Sequence, residues 1–495
     1  MWIGGSRLLV NALGVVSLFV LARLLMPEDF GLVAIGTTLA ILSKSLTELS
    51  LGQALIQHAD PERRHVDTVF TLNLIRSFVV GLIFFFGAPL VSAFYGDDRL
   101  TEVVWIVGIC VFLAGLQNPK LNLLKRDLQF WQEFVLLVGA KLTMVVSSIV
   151  LAIIYDSYWA LLGGMVAAEV VGLIASYACA PYRPRLRLKE FREFLSFSGW
   201  LSLDQIVRTI NFRMDPLIVG RFVGSSQLGL FTVSLNLSKI PTRELTVPLT
   251  TSLFPAFSKL THDKKRLTQA YYRAQTLLFT LALPAGVLLS LVARPLIEVA
   301  LGEAWYAATP LVQVLAVIAA ARSIAAPSQA LALATGDTRL LFNRSLQALV
   351  YRLPLVIAGL ALGGLEGLLW SLSIVSVLGI ALDTNVVSRL IGFGLVDHFK
   401  ANWRSILACL VMSAAVIGTG LLLPEMDTLL LRIVELLFLC AVGGAIYPAT
   451  LFGLWHIGKR PNGAEVEILA LASGALRRIG AMIGIRPQPQ VNAEK

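Results

Sequence analysis

Charged side chains are scarce in this chain. Asp, Glu, Lys and Arg make up 15% of its 495 residues, while 56% are apolar. A single soluble core cannot bury that much apolar surface, so the composition excludes an ordinary soluble domain. Apolar runs of about 20 residues, long enough to cross roughly 30 Å of hydrocarbon, recur along the sequence to about residue 457. We therefore predict an all-α, polytopic membrane protein.

Cysteine and the common catalytic motifs are also scarce or missing. The 4 cysteines have no paired spacing, which argues against disulfides and zinc binding. There is no G-x-x-x-x-G-K-[ST] loop, no H-E-x-x-H pair and no G-x-S-x-G turn, which argues against ATP hydrolysis and against zinc or serine hydrolases. We predict that the chain is not an enzyme and needs no cofactor or metal. If the protein moves a molecule uphill, the energy would have to come from a proton or sodium gradient, or from downstream consumption of that molecule.

Turn and charge signals divide the chain into fourteen predicted spans. They lie at residues 8–25, 31–56, 67–94, 101–119, 131–154, 158–180, 197–221, 227–256, 270–299, 307–334, 341–362, 366–388, 403–423 and 429–456.

Lys and Arg are concentrated in alternate connections between these spans, beginning with Arg63 and Arg64. The intervening connections are neutral or acidic, as at Asp97, Asp98 and Arg99. Because cytoplasmic loops carry the positive excess, both termini are expected on the cytoplasmic side of the membrane. The net charge of +10 is therefore a topological signal, and nucleic acid is not expected as a partner.

Three short patterns recur in the same order about two hundred residues apart. The matched sets are Arg23 and Gly31 with Arg221 and Gly229, Pro89 and Gly96 with Pro295 and Gly302, and Pro119 and Asp127 with Pro327 and Asp337. Such a pattern indicates a duplicated six-helix unit, and an even number of helices makes the copies parallel repeats. Coincidence is the alternative, because Arg, Pro and Gly favour helix ends anywhere.

The duplication predicts a division of the chain into lobes. Residues 1–180 form an N-terminal six-helix lobe, 181–196 a basic cytoplasmic linker, 197–391 a C-terminal six-helix lobe, 392–457 helices 13 and 14, and 458–495 a cytoplasmic amphipathic tail.

Several predicted spans carry polar side chains that hydrocarbon would not accommodate. Asp204, Arg208, Asn211 and Asp215 are spaced four, three and four residues apart, so they share one face of the seventh span. The first, second and eighth spans add Asn11, Lys44, Glu48, Asn236, Lys239 and Arg243, and Arg76, Lys141, Glu169, Arg322 and Arg352 lie deep in others. A water-filled cavity between two lobes explains this concentration. Simple neutralisation within helices, such as Lys44 by Glu48, is the alternative.

Three segments resemble a known family. Residues 24–32, residues 52–57, and Pro119 followed by residues 126–130 are similar to the polysaccharide transporter branch of the multidrug/oligosaccharidyl-lipid/polysaccharide (MOP) superfamily, the Wzx-type flippases. The resemblance implies a V-shaped pair of six-helix lobes plus two further helices. It also implies export of an undecaprenyl-diphosphate-linked oligosaccharide from the cytoplasmic to the periplasmic leaflet, for lipopolysaccharide, capsule or exopolysaccharide assembly, with a polymerase and chain-length machinery as further partners.

The buried charges then suggest a binding mode. Lys44, Arg208 and Arg243 would receive the diphosphate, because Lys and Arg hold phosphate oxygens by charge-assisted hydrogen bonds. The sugars would contact Asn11, Asn211, Asn236 and Lys239, while Glu48, Asp204 and Asp215 would couple an ion. A lipid II flippase, a multidrug antiporter of the same superfamily, and a membrane glycosyltransferase or polysaccharide polymerase are the alternatives. The last two would normally carry a large external loop.

Overall fold

A computed structural model of the chain describes residues 2–47, 51–58, 60–127, 129, 131–189, 199–424, 428–459 and 463–470. Within these ranges the regular secondary structure is helical, and no strand occurs. The first eight helices are α1 (Trp2–Leu24), α2 (Pro27–Thr47), α3 (Leu51–Gln57), α4 (Arg63–Tyr95), α5 (Arg99–Gly115), α6 (Leu121–Arg126), α7 (Trp131–Tyr155) and α8 (Trp159–Cys179).

The remaining helices follow the basic segment after α8. They are α9 (Gly199–Arg213), α10 (Asp215–Ser258), α11 (Lys264–Leu291), α12 (Ala293–Ala300), α13 (Thr309–Arg322), α14 (Ser328–Ala334), α15 (Thr338–Ile391), α16 (Leu395–Leu422) and α17 (Leu429–Ile457). Short 3-10 helices occupy Glu303–Ala308 and Ser323–Ala325, and residues 464–470 are again helical.

Ten helical segments in the described residues are long and apolar enough to span a membrane. Two of them, Ile206–Ser258 and Arg339–Ile391, have 53 residues each. A straight helix of that length would measure about 80 Å, far more than roughly 30 Å of hydrocarbon. The first covers the end of α9 and all of α10 and is broken at Met214 and at Gly224 (φ 82°). The second is broken at Gly363 and Gly364 (φ 54°), so both segments consist of shorter helices.

These observations confirm the predicted all-α, polytopic membrane fold. The interruptions at Gly224 and Gly364 fall between predicted spans, at residues 221–227 and 362–366. The two predicted spans 8–25 and 101–119 correspond to α1 and α5, which are not among the ten long apolar segments of the described chain. The count of fourteen therefore stays a prediction.

The chain forms two compact units, each discontinuous in sequence. Unit 1 comprises Met1–Leu237, Leu296–Leu311 and Leu341–Val375. In it α4 packs on α5, α7 on α8 and on α1, and α2 on α5 and on α9. Unit 1 therefore contains residues from both predicted lobes, and the predicted division at residues 181–196 stays a prediction.

Unit 2 comprises Ser238–Pro295, Val312–Leu340 and Ser376–Lys495. Here α16 and α17 pack on each other and on α11, around a core that includes Met412 and Val416.

Three hydrogen-bonded pairs join α11 to α16, and we call them the α11/α16 polar seam. They are Tyr271 with His398 at 3.1 Å, Gln275 with Asn402 at 3.1 Å, and Thr280 with Ser405 at 2.7 Å. One turn separates successive pairs on each helix, and all six side chains are buried. Nearby, Arg404 of α16 forms a buried ion pair with Glu465 at 3.2 Å, which attaches the short helix after α17.

Candidate functional site

A cavity of about 430 Å³ lies inside unit 1, and we call it the polar cavity. Five charged side chains line it: Lys44, Arg76, Lys125, Glu133 and Glu169. Six amide side chains complete the polar wall: Asn73, Gln117, Asn118, Asn122, Gln129 and Gln132. Asn73, Arg76 and Glu169 lie within predicted spans, where polar groups mark functional sites or structural pairs. Asn122, Lys125 and Gln129 lie in the connection between the predicted spans 101–119 and 131–154.

The helices of unit 1 place these residues together from distant points of the sequence. Lys44 lies in the last turn of α2, and Glu169 lies in the middle of α8. Asn73 and Arg76 are three residues apart on α4, so both face the cavity from one side of that helix.

Two carboxylates partly balance the cations of the polar cavity. Gln117 Nε2 donates to Glu169 Oε2 at 3.3 Å, and Glu169 also interacts electrostatically with Lys44. Lys125 Nζ lies 3.0 Å from Glu133 Oε1. Three cations thus face two carboxylates among the described lining residues, which leaves the cavity with a positive excess.

Three residues of the polar stripe predicted for the seventh span, Asp204, Arg208 and Asn211, lie on α9, which packs against α2. Arg208 is half-buried there. Asn211 is buried, and its Nδ2 donates to the carbonyl of Ser345 at 2.7 Å. The side chain of Asp204 lies outside the described part of the chain, as does residue Glu48.

Asp215, at the start of α10, forms an ion pair with Arg352 of α15. The side chains are 8% and 12% exposed, so the pair is largely removed from solvent. The Arg352 guanidinium also lies 5.5 Å from the centre of the Phe212 ring. The sequence did not predict this pair, because the two charges are 137 positions apart.

The other predicted site residues are distributed over both units. Asn11 is half-buried in α1, and Asn236 is exposed in the unit 1 part of α10. Lys239 and Arg243 are exposed in the unit 2 part of that helix. Of the described residues predicted to bind substrate, Lys44 lines the polar cavity. Their roles stay predictions.

Two glycines that the sequence pattern pairs as repeat equivalents contact each other's helices. A Cβ placed on Gly31 would overlap the carbonyl oxygen of Ser225, and one placed on Gly229 would overlap the carbonyl oxygen of Pro27. Ser225 and Pro27 each lie four residues before the opposite glycine. We call this reciprocal approach of α2 and α10 the glycine contact.

The repeat-equivalent arginines lie beside the glycine contact. Arg23 donates to the carbonyls of Val299 and Ala300, the last residues of α12. Arg221 lies over the ring of Phe94, 5.2 Å from its centre, near the end of α4. The offset that relates Pro89 to Pro295 also relates Phe94 to Ala300, so each arginine contacts the matching helix end of the other predicted repeat.

Tyr95 and Trp305 add hydrogen bonds to the same region. Tyr95 donates its hydroxyl proton to the carbonyl of Leu217 at 2.9 Å, and the Trp305 indole donates to the carbonyl of Ala22 at 2.7 Å. Side-chain hydrogen bonds thus accompany the close backbone approach at the glycine contact.

Sequence reasoning missed the amide wall of the polar cavity. Asn73, Gln117 and Gln132 were available as polar residues in or beside apolar runs. They were not predicted as site residues because an uncharged amide opposes insertion of a helix into the membrane less than Lys or Glu does.

A family model described as "Polysaccharide biosynthesis protein" matches residues 20–310. The chain belongs to this family. Among curated polysaccharide biosynthesis proteins, it is 23% identical over 401 residues to the lipopolysaccharide biosynthesis protein WzxC of Escherichia coli, with 78% of this chain and 80% of WzxC covered. It is 26% identical over 300 residues to the succinoglycan biosynthesis transport protein ExoT of Rhizobium meliloti, with 60% of each chain covered.

Solved structures share the fold of this polysaccharide biosynthesis protein. The lipid II flippase MurJ in an inward closed conformation aligns with a TM-score of 0.74 at 15% identity, over 92% of this chain and 99% of MurJ. An inward-facing multidrug resistance MATE transporter of the MOP superfamily aligns with a TM-score of 0.58 at 13% identity, over 77% of this chain and 95% of the transporter. The predicted resemblance to Wzx-type polysaccharide transporters is confirmed.

Proposed function

We propose that the chain is a flippase that carries an undecaprenyl-diphosphate-linked oligosaccharide from the cytoplasmic to the periplasmic leaflet. Its product would serve lipopolysaccharide, capsule or exopolysaccharide assembly. The observation that carries the proposal is the positively charged, amide-lined polar cavity inside a multi-pass polysaccharide biosynthesis protein.

The chemistry of the polar cavity suits the head of such a lipid. A diphosphate is the part that most resists hydrocarbon, and Lys44 and Arg76 supply charge-assisted donors for its oxygens. Amides such as Asn73 both donate and accept hydrogen bonds, as sugar hydroxyls require. A cavity of about 430 Å³ receives a headgroup, while the polyprenyl chain stays in the surrounding lipid.

Glu169 and an arriving diphosphate would compete for the same cation, Lys44. Without substrate, its carboxylate interacts with Lys44 and accepts a hydrogen bond from Gln117. An arriving diphosphate would take over Lys44, and the positive excess of the cavity would favour that exchange. Release at the other leaflet would restore the pair between Lys44 and Glu169.

The proposal keeps the predicted substrate contacts. Lys44, Arg208 and Arg243 would hold the diphosphate, and Asn11, Asn211, Asn236 and Lys239 would contact the sugars. Glu48, Asp204 and Asp215 are the groups that could couple a proton or sodium ion. For Asp215, the ion pair with Arg352 means that uptake of an ion would have to break a buried interaction.

Alternating access would come from rocking of the two predicted repeats about the glycine contact. The contact joins repeat-equivalent helices through small residues and backbone carbonyls. Beside it, Glu28 pairs with Arg99 and accepts a hydrogen bond from Ser225 at 3.5 Å, so separation of the two helices would also have to break the bond from Ser225. On the topology predicted by the charge pattern, the N-terminal ends of α2 and of the second part of α10 lie on the periplasmic side. Their separation would open the outward path.

Location and partners follow from the same proposal. The protein would lie in the bacterial inner membrane with both termini in the cytoplasm, would not itself be an enzyme, and would hand its cargo to a polymerase with chain-length machinery. A lipid II flippase or multidrug antiporter is supported by the fold likeness to MurJ and the MATE transporter. The names of WzxC and ExoT, which refer to lipopolysaccharide and succinoglycan, favour a polysaccharide precursor instead.

The test is lipid analysis of a strain that lacks this protein. We expect polyprenyl-diphosphate-linked oligosaccharide to accumulate on the cytoplasmic side and polymer export to stop. Return of the wild-type chain should restore export, whereas Lys44→Ala or Arg208→Ala should reduce it at least tenfold at equal membrane abundance.

Lys264→Ala serves as the matched control, because Lys264 is exposed at the start of α11 and is not among the described residues that line the polar cavity. Normal export by the deletion strain would overturn the flippase proposal. Normal export by both the Lys44→Ala and the Arg208→Ala variant would overturn the site assignment alone.

A further inference from the structure

The segment after α8 is held against the predicted cytoplasmic ends of α4 and α6. Lys120 Nζ donates to the carbonyl of Pro181 at 3.1 Å, and Arg63 Nη2 donates to the carbonyl of Arg183 at 3.2 Å. Further along, the backbone amide of Arg187 donates to Thr71 Oγ1 at 2.9 Å. The first part of the predicted linker is therefore a fixed wall of unit 1.

A second cavity of about 430 Å³ opens between this wall and the helix ends, and we call it the basic pocket. Three cations line it, Arg63, Lys120 and Arg183, together with Tyr182 and the apolar side chains Val66 and Leu123. Its described lining residues include none of those that line the polar cavity. The basic pocket is thus a separate feature of unit 1.

The hydrogen bonds of the basic pocket fix its cations without neutralising them. A backbone carbonyl carries no net charge, and each such bond occupies one of three ammonium donors on Lys120 or one of five guanidinium donors on Arg63. Asp67, one turn after Arg63, is buried and accepts a hydrogen bond from the Tyr182 hydroxyl at 2.6 Å. It also forms an ion pair with Arg63 at 3.9 Å, which balances part of the Arg63 charge.

The composition of the walls indicates an amphipathic ligand. The three cations call for an anion with several oxygens, and Val66 and Leu123 in the same lining call for an apolar continuation of the ligand. On the topology predicted by the charge pattern, the pocket lies at the cytoplasmic headgroup level, where anionic lipids are attracted to basic residues.

We propose that the basic pocket binds the phosphate headgroup of an anionic phospholipid from the cytoplasmic leaflet. Arg63, Lys120 and Arg183 contact the phosphate oxygens, and the glycerol and first acyl carbons lie along Val66 and Leu123. The bound lipid would stabilise the linker segment against α4. This site is independent of the substrate in the polar cavity.

The experiment compares two double variants of the full-length protein that remove the same charge from the same segments. Arg63→Gln with Arg183→Gln alters the basic pocket. Arg64→Gln with Arg185→Gln is the matched control, because neither Arg64 nor Arg185 belongs to the described residues that line the pocket, and Arg64 pairs with Glu62 at 2.9 Å.

Lipid retention is measured by native mass spectrometry of detergent-purified protein titrated with phosphatidylglycerol, with phosphatidylcholine and inorganic phosphate in parallel. We expect saturable phosphatidylglycerol binding that the pocket variant weakens roughly tenfold or more, as loss of two surface cations predicts, while the control changes it less than twofold. Inorganic phosphate should bind only weakly, because it has no apolar part that could contact Val66 and Leu123. Weak binding of this kind supports the same site.

Three results would overturn the proposal: equal weakening in both double variants, equal binding of phosphatidylcholine, or inorganic phosphate bound as tightly as phosphatidylglycerol. Thermal melting in detergent without added lipid checks that the pocket variant folds. Should it melt far below the control, Lys120→Gln alone replaces it and is expected to weaken binding about fivefold. Because the readout is lipid binding, failure here leaves the flippase proposal untouched.

Discussion

Gly31 and Gly229 are reciprocal partners, since each lies against the carbonyl oxygen four residues before the other. Such an arrangement is self-complementary, like the contact patch of a twofold dimer, although both glycines belong to one chain. The two helices approach so closely that a methyl group on either side has no room. Substitutions at the glycine contact are therefore a sensitive test of how the chain changes conformation.

Gly229→Ala is expected to push α2 and α10 apart. Its Cβ would overlap the carbonyl of Pro27, and overpacking of this kind costs about 1 to 3 kcal/mol. We expect a lower melting temperature and an increase in periplasmic labelling of a cysteine placed in the polar cavity, measured in membranes. Gly87→Ala is the control, because a Cβ there meets no atom within 4 Å. Equal behaviour of the two variants would contradict the role given to the contact.

Arg23→Gln tests the arginine that closes the end of α12. Arg23 donates to the carbonyls of Val299 and Ala300, where a cation also interacts favourably with the helix dipole. We expect a loss of about 1 kcal/mol in stability, measured by thermal melting in detergent. Arg23→Lys should recover part of it, since the charge returns without the planar fork. No loss in Arg23→Gln, or a similar loss in Lys264→Gln, would count against this contact.

Variants of Asp215 separate structural pairing from ion coupling. Asp215→Asn alone leaves Arg352 charged and buried, and removal of one partner from a buried pair typically costs about 3 to 5 kcal/mol. We expect poor membrane abundance of this single variant. Asp215→Asn with Arg352→Gln removes both charges and should restore abundance.

Polymer export by that double variant then decides the role of the pair. Normal export would assign Asp215 a purely structural role, whereas loss of export at restored abundance would support ion coupling. Low abundance of the double variant would contradict the expected repair by joint neutralisation.

Asp97 provides a pH-dependent prediction outside the membrane spans. Hydrogen bonds from Arg99, at 2.8 and 3.0 Å, lower the pKa of Asp97 below its ordinary value of 3.8. The ionised form is thus favoured in the folded state, and its stabilisation is present above that ordinary pKa and disappears as pH falls through the lowered pKa. Since Arg99 is 42% exposed, the effect should be only about 0.5 kcal/mol.

The measurement for Asp97 is the melting temperature of wild type and Asp97→Asn across pH. The wild type should melt slightly higher at pH 7, and the difference should vanish in strong acid. A difference that persists or grows below the ordinary pKa would contradict this account.

The sequence predicted the membrane fold well because hydrocarbon imposes one dominant rule, that a spanning helix needs a long apolar run. Even the breaks at Gly224 and Gly364 fall in predicted connections. Side-chain partners were less accessible. Asp215 and Arg352 were singled out separately, yet their pairing depends on how α10 packs against α15, which local patterns do not encode.

The candidate site was predicted only in part for a related reason. Lys44 was found because a charge in an apolar run is conspicuous, and Glu169 and Arg76 were noted on the same ground. The amides that share the polar cavity carry no charge, and five of the six lie within residues 117–132. That Asn73 of α4 joins them appears only in three dimensions. Likewise, Gly31 and Gly229 were recognised as equivalents, but their contact was not foreseen.

The α11/α16 polar seam bears on how far this transporter can be shortened. Removal of α16 and α17 would leave the side chains of Tyr271, Gln275 and Thr280 without partners on a lipid-facing helix. Each polar group stranded in hydrocarbon costs several kcal/mol. A core without α16 and α17 could not be made from this chain by truncation alone, and would first require apolar replacements along α11. Helices α16 and α17 and the polar face of α11 that they cover therefore depend on each other.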